Sequence, residues 1–455
     1  MDSLSSARQT GCQRPCRIRL RPGTGGPHFM AVVVIFACVL SPTTGAARTW
    51  HVPTEAPTIQ AGIDSARAGD DVLVAPGRYL EHDIAMKAGV TVHSEQGPSA
   101  TTVDATSAGS GFVCTNLDQT AVIEGFSILN GYTRDYGGGV RCDNSRLVMR
   151  DCSVTACTSD YSGGGISADQ SDVVIEGCTV NSCLADYVGG GILALSTTVA
   201  IVDCQVLNND ARGSGGGIFA HGPEVTIARC VVSGNIAWWG EGGGIGCSSA
   251  VLTIQECLIT HNRAWEIGKG AGLSEGSCAG SILACTIAHN DATYGGEAVL
   301  LLQSNVEVDR TVIAFNYNPA LTCESAQVTV HCTDVYGNTG GNEICGDDLG
   351  GNFSADPLFC NYREYTLDAN SPCLPGNHPQ GVDCGLIGAR GQGCGTPPPT
   401  GACCFMDGSC VVAGQQDCED EHGTYMGDGT TCDPNPCHPT PVRITTWGRI
   451  KAGFR

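Results

Sequence analysis

Apolar and polar residues alternate over short stretches along most of the chain. Val173-x-Ile175 and Cys178-x-Val180 are typical, and each is followed closely by small or polar residues. Alternation with a period of two predicts short β-strands rather than helices. One such stretch cannot bury its own apolar face, so we expect equivalent stretches to stack on one another.

Two sequence markers repeat with a period of about 26 residues. Gly-Gly-Gly stands at 137–139, 163–165, 189–191, 215–217 and 242–244, and degenerate copies follow at 270–272 and 295–296. The second marker is a cysteine, at Cys152, Cys178, Cys204, Cys230, Cys257 and Cys285. Five residues after each of these come, in order, Cys157, Cys183, Asn209, Asn235, Asn262 and Asn290. Two markers in one register predict a repeat architecture.

These patterns predict an all-β chain that forms a right-handed parallel β-helix of about nine coils, with a small disulfide-rich C-terminal module. At about 4.8 Å per coil the helix would be roughly 45 Å long. Cys178 and its equivalents should point inward as small apolar residues. The asparagines should form a hydrogen-bonded ladder at a turn. Cys157 and Cys183 lie on adjacent coils, where they could form a disulfide.

Composition divides the chain into seven segments. They are a signal peptide region (1–47), an N-terminal cap with the first coils (48–110), the β-helix repeats (111–340), C-terminal coils and cap (341–394), a Pro-rich linker (395–400), a Cys-rich module (401–437) and a basic tail (438–455). The apolar run at 31–40 follows basic residues and precedes small ones, which is typical of a cleaved signal peptide.

The chain has 28 cysteines, a number that indicates an oxidising compartment. We therefore predict a protein that is secreted or held at the outer cell surface. Six cysteines lie within 401–437 and should form disulfides there. Five further cysteines should staple the preceding cap: Cys345, Cys360, Cys373, Cys384 and Cys394.

The net charge is −22, and it becomes −26 without residues 1–46, which carry five arginines and one aspartate. A surface this acidic repels phosphate backbones, so nucleic acid is excluded as a partner. We expect no cofactor, although Ca²⁺ remains a candidate ligand. We also expect a monomer, with no transmembrane span in the mature chain.

Three segments resemble known β-helix proteins. Residues 58–64 and 68–79 resemble the N-terminal cap of the pectin-lyase-like superfamily, in which a short amphipathic helix plugs the open end of the β-helix. The paired Gly-Gly-Gly-Ile and Cys-x-Val-x-x-Asn motifs resemble the repeats of chlamydial polymorphic outer-membrane proteins, with Cys where that family has Phe. Residues 356–359 and 371–373 resemble the final coil of secreted bacterial β-helix proteins. The resemblance covers 48–394.

The resemblance implies two kinds of polysaccharide-degrading enzyme. Lyases of this fold use Ca²⁺-binding carboxylates with an Arg or Lys base, and its hydrolases use three Asp with Gly-His-Gly and Arg-Ile-Lys. The chain has only Lys87, Lys269 and Lys451, and Lys269 has no obvious acidic cluster of the kind that these lyases use to bind Ca²⁺. We therefore assign no catalytic residues and keep a polysaccharide lyase or glycoside hydrolase as an alternative.

Aromatic and acidic residues recur just before the glycine turns. They are Asp135, Tyr136, Asp160, Tyr161, Asp186, Tyr187, Trp238, Trp239, Glu241, Trp265 and Glu266. Stacked coils would place them along one edge, where flat rings offer faces to sugars and carboxylates accept hydroxyl hydrogen bonds. The alternative is that the rings pack on one another and shield the turns.

The sequence thus predicts a secreted or cell-surface scaffold that binds carbohydrate or a surface partner. A purely structural or adhesive surface protein is a further alternative.

Overall fold

The computed structural model describes residues 46–394 except 267, and 400–437 except 406, 407, 421, 422 and 434. The predicted signal peptide, Pro-rich linker and basic tail lie largely or wholly outside these residues. The structure below belongs to the compact unit Ala47–Arg455. Within the described part of the chain, no helix is long and apolar enough to cross a membrane.

Four parallel sheets form the walls of a β-helix. Sheet A has 13 strands: Thr49–Val52, Asp71–Val74, Thr91–Ser94, Ala121–Glu124, Arg146–Arg150, Asp172–Glu176, Thr198–Val202, Glu224–Ala228, Val251–Gln255, Ala279–Leu283, Asn305–Asp309, Gln327–His331 and Asp347–Asp348. Sheet B has 11: Gly77–Tyr79, Thr101–Asp104, Ser127–Leu129, Ser153–Thr155, Thr179–Asn181, Gln205–Leu207, Val231–Ser233, Leu258–Thr260, Thr286–Ala288, Val312–Ala314 and Asp334–Tyr336. Sheet C has 10: Ile84–Ala85, Phe112–Thr115, Val140–Asp143, Ile166–Asp169, Ile192–Leu195, Ile218–His221, Ile245–Ser248, Leu273–Gly276, Val299–Leu302 and Leu321–Glu324. Sheet D has seven: Tyr132–Thr133, Thr158–Ser159, Leu184–Ala185, Asp210–Ala211, Ile236–Ala237, Arg263–Ala264 and Asp291–Ala292.

The remaining elements are short. The described helices are Ile59–Ser65 and Gln415–Asp420. A two-stranded pair joins Leu367–Asp368 to Gln392–Cys394, and the C-terminal module holds the strands Thr400–Cys404, Cys410–Gly414 and Thr424–Tyr425. The fold is therefore almost entirely β, as predicted.

Each of the seven coils that contain a sheet D strand visits the sheets in the order A, B, D, C and then returns to sheet A, whereas the coils nearer the ends have no described strand in sheet D. Residues 26 positions apart pair directly, so that Val173 lies beside Val199 and Val180 beside Val206. The 13 strands of sheet A correspond to about 13 turns, which corrects the prediction of about nine coils. The error arose because coils at both ends, such as those of Thr49–Val52 and Asp347–Asp348, carry neither sequence marker.

The corners between sheets are made by single residues in the left-handed backbone region. Asn144, Gln170 and Ser196 turn the chain from sheet C to sheet A with φ of 46°, 48° and 51°. Asp151 and Asp203 (φ 47° and 53°) make the next corner, from sheet A to sheet B. Asn and Asp tolerate this region better than most residues that carry a Cβ, and their polar side chains suit an exposed corner.

The inward cysteine column is confirmed. Cys178 and its equivalents are at most 2% exposed, and none is in a disulfide. The backbone N–H of Cys178 points at Cys204 Sγ (3.4 Å), and the same contact repeats between Cys204 and Cys230. Burial raises the pKa of the Cys257 thiol well above its usual range, so this sulfur is a neutral core atom.

The asparagine ladder is also confirmed, and it is fully buried. Asn235 Nδ2 donates to Val206 O (2.9 Å) and to Asn262 Oδ1 (3.0 Å). Its own Oδ1 accepts from the backbone N–H of Asn209 at 2.9 Å. Each amide therefore satisfies backbone groups that the turn would leave unpaired. Cys157 and Cys183 occupy this column without forming a disulfide.

The N-terminal end of the β-helix is covered, and so is part of its side near the C-terminal end. At the N-terminal end, the helix Ile59–Ser65 is capped by Thr58 and buries Ile59 and Ile63, as the resemblance implied. Near the C-terminal end, a later segment runs along the outer face of sheet B. Gly388 N–H donates to Arg310 O (2.7 Å) and Ala389 N–H to Thr286 Oγ1 (3.0 Å).

Seven disulfides are present in the described residues, all beyond residue 246. The module contains the three pairs Cys403–Cys418, Cys404–Cys437 and Cys410–Cys432, which confirms its predicted cross-linking. The cap region contains Cys323–Cys345, Cys332–Cys384 and Cys360–Cys394. Cys247–Cys278 was not predicted.

The prediction that Cys373 staples the cap is wrong. Cys373 is a buried free thiol, and its Sγ donates to Asp334 Oδ2 at 3.3 Å. Burial raises the pKa of Asp334 to about 7, so near neutral pH this carboxyl is divided between its protonated and ionised forms.

Candidate functional site

The predicted aromatic residues lie together in the loops that connect sheet D to sheet C. We call Tyr136, Tyr161, Tyr187, Trp238, Trp239 and Trp265 the aromatic edge. The ring centroids of Tyr136 and Tyr161 are 4.8 Å apart, and those of Tyr161 and Tyr187 are 4.7 Å apart. Trp238 and Trp265 stack at 5.4 Å with an interplanar angle of 27°. The edge therefore has a tyrosine end and a tryptophan end.

The glycine turns bring these loops back onto the outer face of sheet C. Gly163 has φ +68°, and a Cβ there would lie 2.9 Å from both Ile166 O and Ser167 Cβ. Only glycine fits this conformation and this spacing without a shift of the backbone. As a result, Ser167 and Leu193 on the outer face of sheet C are buried, and the rings lie at the rim of the covered face.

Several rings of the edge remain open to solvent. Trp239 is 61% exposed, Tyr187 55%, Tyr161 42% and Trp238 37%. Tyr136 is half-buried, and burial together with a hydrogen bond to Tyr161 raises its pKa to about 12. Packing between rings thus occurs, but it leaves large apolar faces available to a ligand.

The aspartates of the edge already have protein partners. Asp135 pairs with Arg141 at 2.8 Å, and Asp186 pairs with Arg212 at 3.3 Å. Asp160 Oδ2 accepts from the hydroxyl of Tyr132 at 2.7 Å. A sugar hydroxyl at the tyrosine end would have to share these acceptors. Glu266 is exposed and lies in the left-handed region (φ 54°).

A cluster that the sequence analysis missed lies at the tryptophan end. Lys269 Nζ is 2.9 Å from Glu324 Oε1, and the charges of Glu297 and Glu241 also act on Lys269. Ser274 Oγ donates to Glu241 Oε2 at 2.9 Å. We call Glu241, Lys269, Glu297 and Glu324 the Lys269 cluster. The sequence analysis did not identify these carboxyl groups as neighbours of Lys269.

A sequence signal for this cluster did exist. Glu241 and Lys269 each directly precede the first glycine of a glycine turn, so the sequence places them on adjacent coils. Glu297 instead lies beside Ala271, because Leu273 pairs with Val299 at a spacing of 26 residues. In the structure, Gly242 N–H donates to Lys269 O (3.0 Å), which places adjacent turns side by side. Glu324 has no such signal, because it reaches Lys269 from a strand 55 residues later.

Glu297 is the most unusual member of the cluster. It is 5% exposed, and its Oε1 has no hydrogen-bond partner among the residues that the structure describes. Burial raises its pKa to about 7; Lys269 opposes this increase, whereas Glu324 and Glu241 add to it. Near neutral pH this carboxyl is thus divided between its protonated and ionised forms.

Glu275 is a second buried carboxyl, but it points into the core instead of toward the surface. It stacks between Cys247 and Leu301 at an inward position of sheet C and has no measurable exposure. Both of its carboxyl oxygens lack a partner among the described residues, and burial raises its pKa to about 8. It does not contribute to a surface site.

Two grooves follow the corner between sheets C and A. The larger has a volume of about 650 Å³ and is lined by Ser196, His221, Ser249, Ser277 and Gln303 among others. The smaller, about 330 Å³, lies nearer the N-terminus, around Asn144 and Gln170. Among the described lining residues of the larger groove, His221 is the sole ionisable side chain apart from disulfide-bonded Cys278. This groove lacks the paired carboxylates that acid–base cleavage of a glycosidic bond requires.

Three solved structures with a similar fold are distant from this chain in sequence. A pectate lyase, Pel9A, is 12% identical, with 77% of this chain and 97% of that chain covered and a TM-score of 0.42. The A-module of the Azotobacter vinelandii mannuronan C-5 epimerase AlgE6 is 17% identical, with 66% and 94% covered and a TM-score of 0.30. The PL6 family polysaccharide lyase Pedsa3628 from Pseudopedobacter saltans is 10% identical, with 69% and 93% covered and a TM-score of 0.34. These similarities concern the fold alone.

No curated protein sequence matches this chain. The family model described as "Right handed beta helix region" matches residues 88–246 and 190–354. These matches cover more than half of the chain and coincide with the stacked coils described above. The chain therefore belongs to the right-handed β-helix family.

Proposed function

We propose that this chain is an extracellular β-helix protein that binds carbohydrate along the aromatic edge. The observation that carries the proposal is the set of rings in the loops from sheet D to sheet C: Tyr136, Tyr161 and Tyr187 on three successive coils and, after one coil without a ring, Trp238, Trp239 and Trp265 on the next two. Trp239, Tyr187 and Tyr161 are the most exposed of these rings. The apolar face of a sugar ring packs on an aromatic face. A polysaccharide that runs parallel to the axis of the β-helix would meet one ring after another.

The disulfides support an extracellular location. Seven disulfides in the described residues are typical of a protein that matures outside the reducing cytosol. Three of them cross-link the small module after residue 400, which can bury little apolar surface by itself.

Retention on immobilised polysaccharides tests the proposal. Trp239→Ala and Tyr187→Ala should each weaken binding by about 1–2 kcal/mol, a factor of roughly 5 to 30. Tyr317→Ala is the matched control, because Tyr317 is 60% exposed and lies outside the edge. If all three variants bind as the unmodified chain does, the aromatic edge is not the binding surface.

A polysaccharide-degrading enzyme is the second candidate function. The observation in its favour is Lys269, which is held at 2.9 Å from Glu324 close to the tryptophan end of the edge. Incubation with a panel of polysaccharides, followed by measurement of reducing ends and unsaturated products, tests it. Activity that is lost in Lys269→Ala would establish this function. If neither cleavage nor retention is found, the structural or adhesive alternative is favoured.

A further inference from the structure

We propose that the carbohydrate bound at the aromatic edge is cationic: an amine-bearing polysaccharide whose ammonium groups are received by the Lys269 cluster. This inference rests on the proposed function and adds the chemical class of the ligand. It also implies that polyuronates, which are anionic, are not the ligand.

The position of the cluster is the first step in the argument. Glu241 follows Trp239 by two residues, and Lys269 follows Trp265 by four. Trp265 in turn stacks on Trp238 at 5.4 Å. A sugar ring that packs on the tryptophan end therefore brings its substituents to the cluster.

The charge balance is the second step. The cluster holds three carboxyl groups and one ammonium, so the single charge of Lys269, which pairs with Glu324, is also the one positive charge that the cluster offers to Glu241 and Glu297. At the tyrosine end, arginines pair with Asp135 and Asp186, whereas Asp160 accepts only from a neutral hydroxyl. The whole chain carries −22, so a polyanion would be repelled before it reached the edge.

Glu297 is the third step, and it points to a ligand independently of the charge count. A buried polar atom normally has a hydrogen-bond partner, yet Glu297 Oε1 has none among the described residues while its carboxyl faces the charges of Lys269, Glu324 and Glu241. A ligand ammonium would donate to this oxygen and favour the ionised carboxylate. A neutral hydroxyl could donate as well, but it would not offset the negative charge of the site.

The neighbouring groups favour a sugar amine over two other cations. Lys269 already holds a positive charge beside Glu324, and it would repel a divalent metal ion about twice as strongly as a single ammonium at the same distance. A lysine-rich peptide would satisfy the carboxylates without using the tryptophan faces. An amino sugar uses both the rings and the carboxylates.

Three hexasaccharides of equal length test the proposal on the full chain by isothermal titration calorimetry. They are a glucosamine hexamer, its N-acetylated counterpart and a galacturonate hexamer. We expect the glucosamine hexamer to bind at least tenfold more tightly than the acetylated one, and added salt to weaken it. We expect no binding of the galacturonate hexamer.

Variants then locate the charge effect. Glu297→Gln should weaken glucosamine binding by roughly tenfold and leave the acetylated hexamer unaffected. Lys269→Met should strengthen glucosamine binding, because it removes the one positive charge of the cluster. Glu307→Gln is the matched control, since Glu307 is an exposed carboxylate on the sheet A strand Asn305–Asp309, and it should change nothing. Lys269→Met also keeps the test decisive if Glu297→Gln fails to fold.

The outcomes separate this inference from the proposed function. If the acetylated hexamer binds equally well, and Trp239→Ala weakens it while Glu297→Gln does not, the ligand is neutral and only the present inference is overturned. Tighter binding of galacturonate, of calcium chloride alone, or of a lysine-rich peptide that is insensitive to Trp239→Ala also overturns it. If no hexasaccharide binds, the present inference is overturned, whereas retention on immobilised polysaccharides still decides the proposed function.

Discussion

The buried carboxyl of Glu275 gives a stability prediction that depends on pH. Glu275 points into the core between Cys247 and Leu301 with both oxygens unpartnered among the described residues. Ionising it in the folded state costs free energy, because neither water nor a hydrogen-bond donor stabilises the charge. Glu275→Gln keeps the size and polarity of the side chain but removes its ability to ionise.

The size of the effect follows from the pKa. A carboxyl whose pKa rises from 4.5 in the unfolded chain to about 8 in the folded one changes the free energy of unfolding by about 5 kcal/mol. The folded state holds the proton more tightly than the unfolded state. The stabilisation is therefore complete below pH 4.5, is lost progressively as the pH rises to about 8, and does not change further above that pH.

Urea unfolding at several pH values between 4.5 and 9 measures this effect. We expect the free energy of unfolding of the unmodified chain, relative to that of Glu275→Gln, to fall by up to about 5 kcal/mol across this range. Glu297 and Asp334 also have raised pKa values, but both variants retain them, so their contributions cancel in the difference.

Glu307→Gln serves as the control, since its carboxylate is exposed and should not alter the pH profile. If the unmodified chain and Glu275→Gln lose stability in parallel from pH 4.5 to 9, the carboxyl of Glu275 is not desolvated. The inward orientation of this side chain would then be refuted.

Three further predictions concern stability and redox state. Asn235→Ala removes hydrogen bonds to Val206, Asn262 and Asn209, so it should lower the free energy of unfolding by about 2–4 kcal/mol. Thermal unfolding measures this loss, and Asn305→Ala, at an exposed position, should change the free energy of unfolding little. In a chain that begins at Ala47, no thiol should react with a disulfide reagent while the protein is folded, and 11 thiols should react once it is unfolded. Reaction of any of these thiols in the folded protein would contradict the burial of the cysteine column. The double variant Cys332→Ala/Cys384→Ala removes a disulfide between cysteines 52 residues apart, and should lower the free energy of unfolding by about 4 kcal/mol and make residues 360–394 more sensitive to proteolysis. An unchanged melting temperature would show that this disulfide does not hold the C-terminal segment in place.

The repeat period accounts for what the sequence could predict. A spacing of 26 residues places Cys178 beside Cys204 and Asn209 beside Asn235, and these contacts follow from the register of a parallel stack alone. The end coils were missed because a coil needs inward apolar residues to stack, but it does not need a glycine turn or a cysteine. A coil can therefore stack on its neighbour without carrying either sequence marker.

The candidate site was only partly predictable for a related reason. The rings of Tyr161 and Tyr187 are neighbours by period, so the sequence placed them together. The contact between Lys269 and Glu324 crosses more than one coil and depends on the reach of a long side chain. Cys373 likewise faces Asp334 because the C-terminal segment folds back, which no local pattern indicates.

The matched register of the middle coils has an evolutionary consequence. From Ile166 to Ile218 each coil presents the same inward residues, the same buried cysteine and nearly the same corners to its neighbours. If one whole 26-residue unit were removed or duplicated there, the cysteine column and the asparagine ladder would remain continuous, and the segments at the two ends of the β-helix would be unchanged. Duplication or deletion of one unit in the gene would therefore lengthen or shorten the protein by one coil. Each such step would add or remove one of the surface loops in which the aromatic side chains lie.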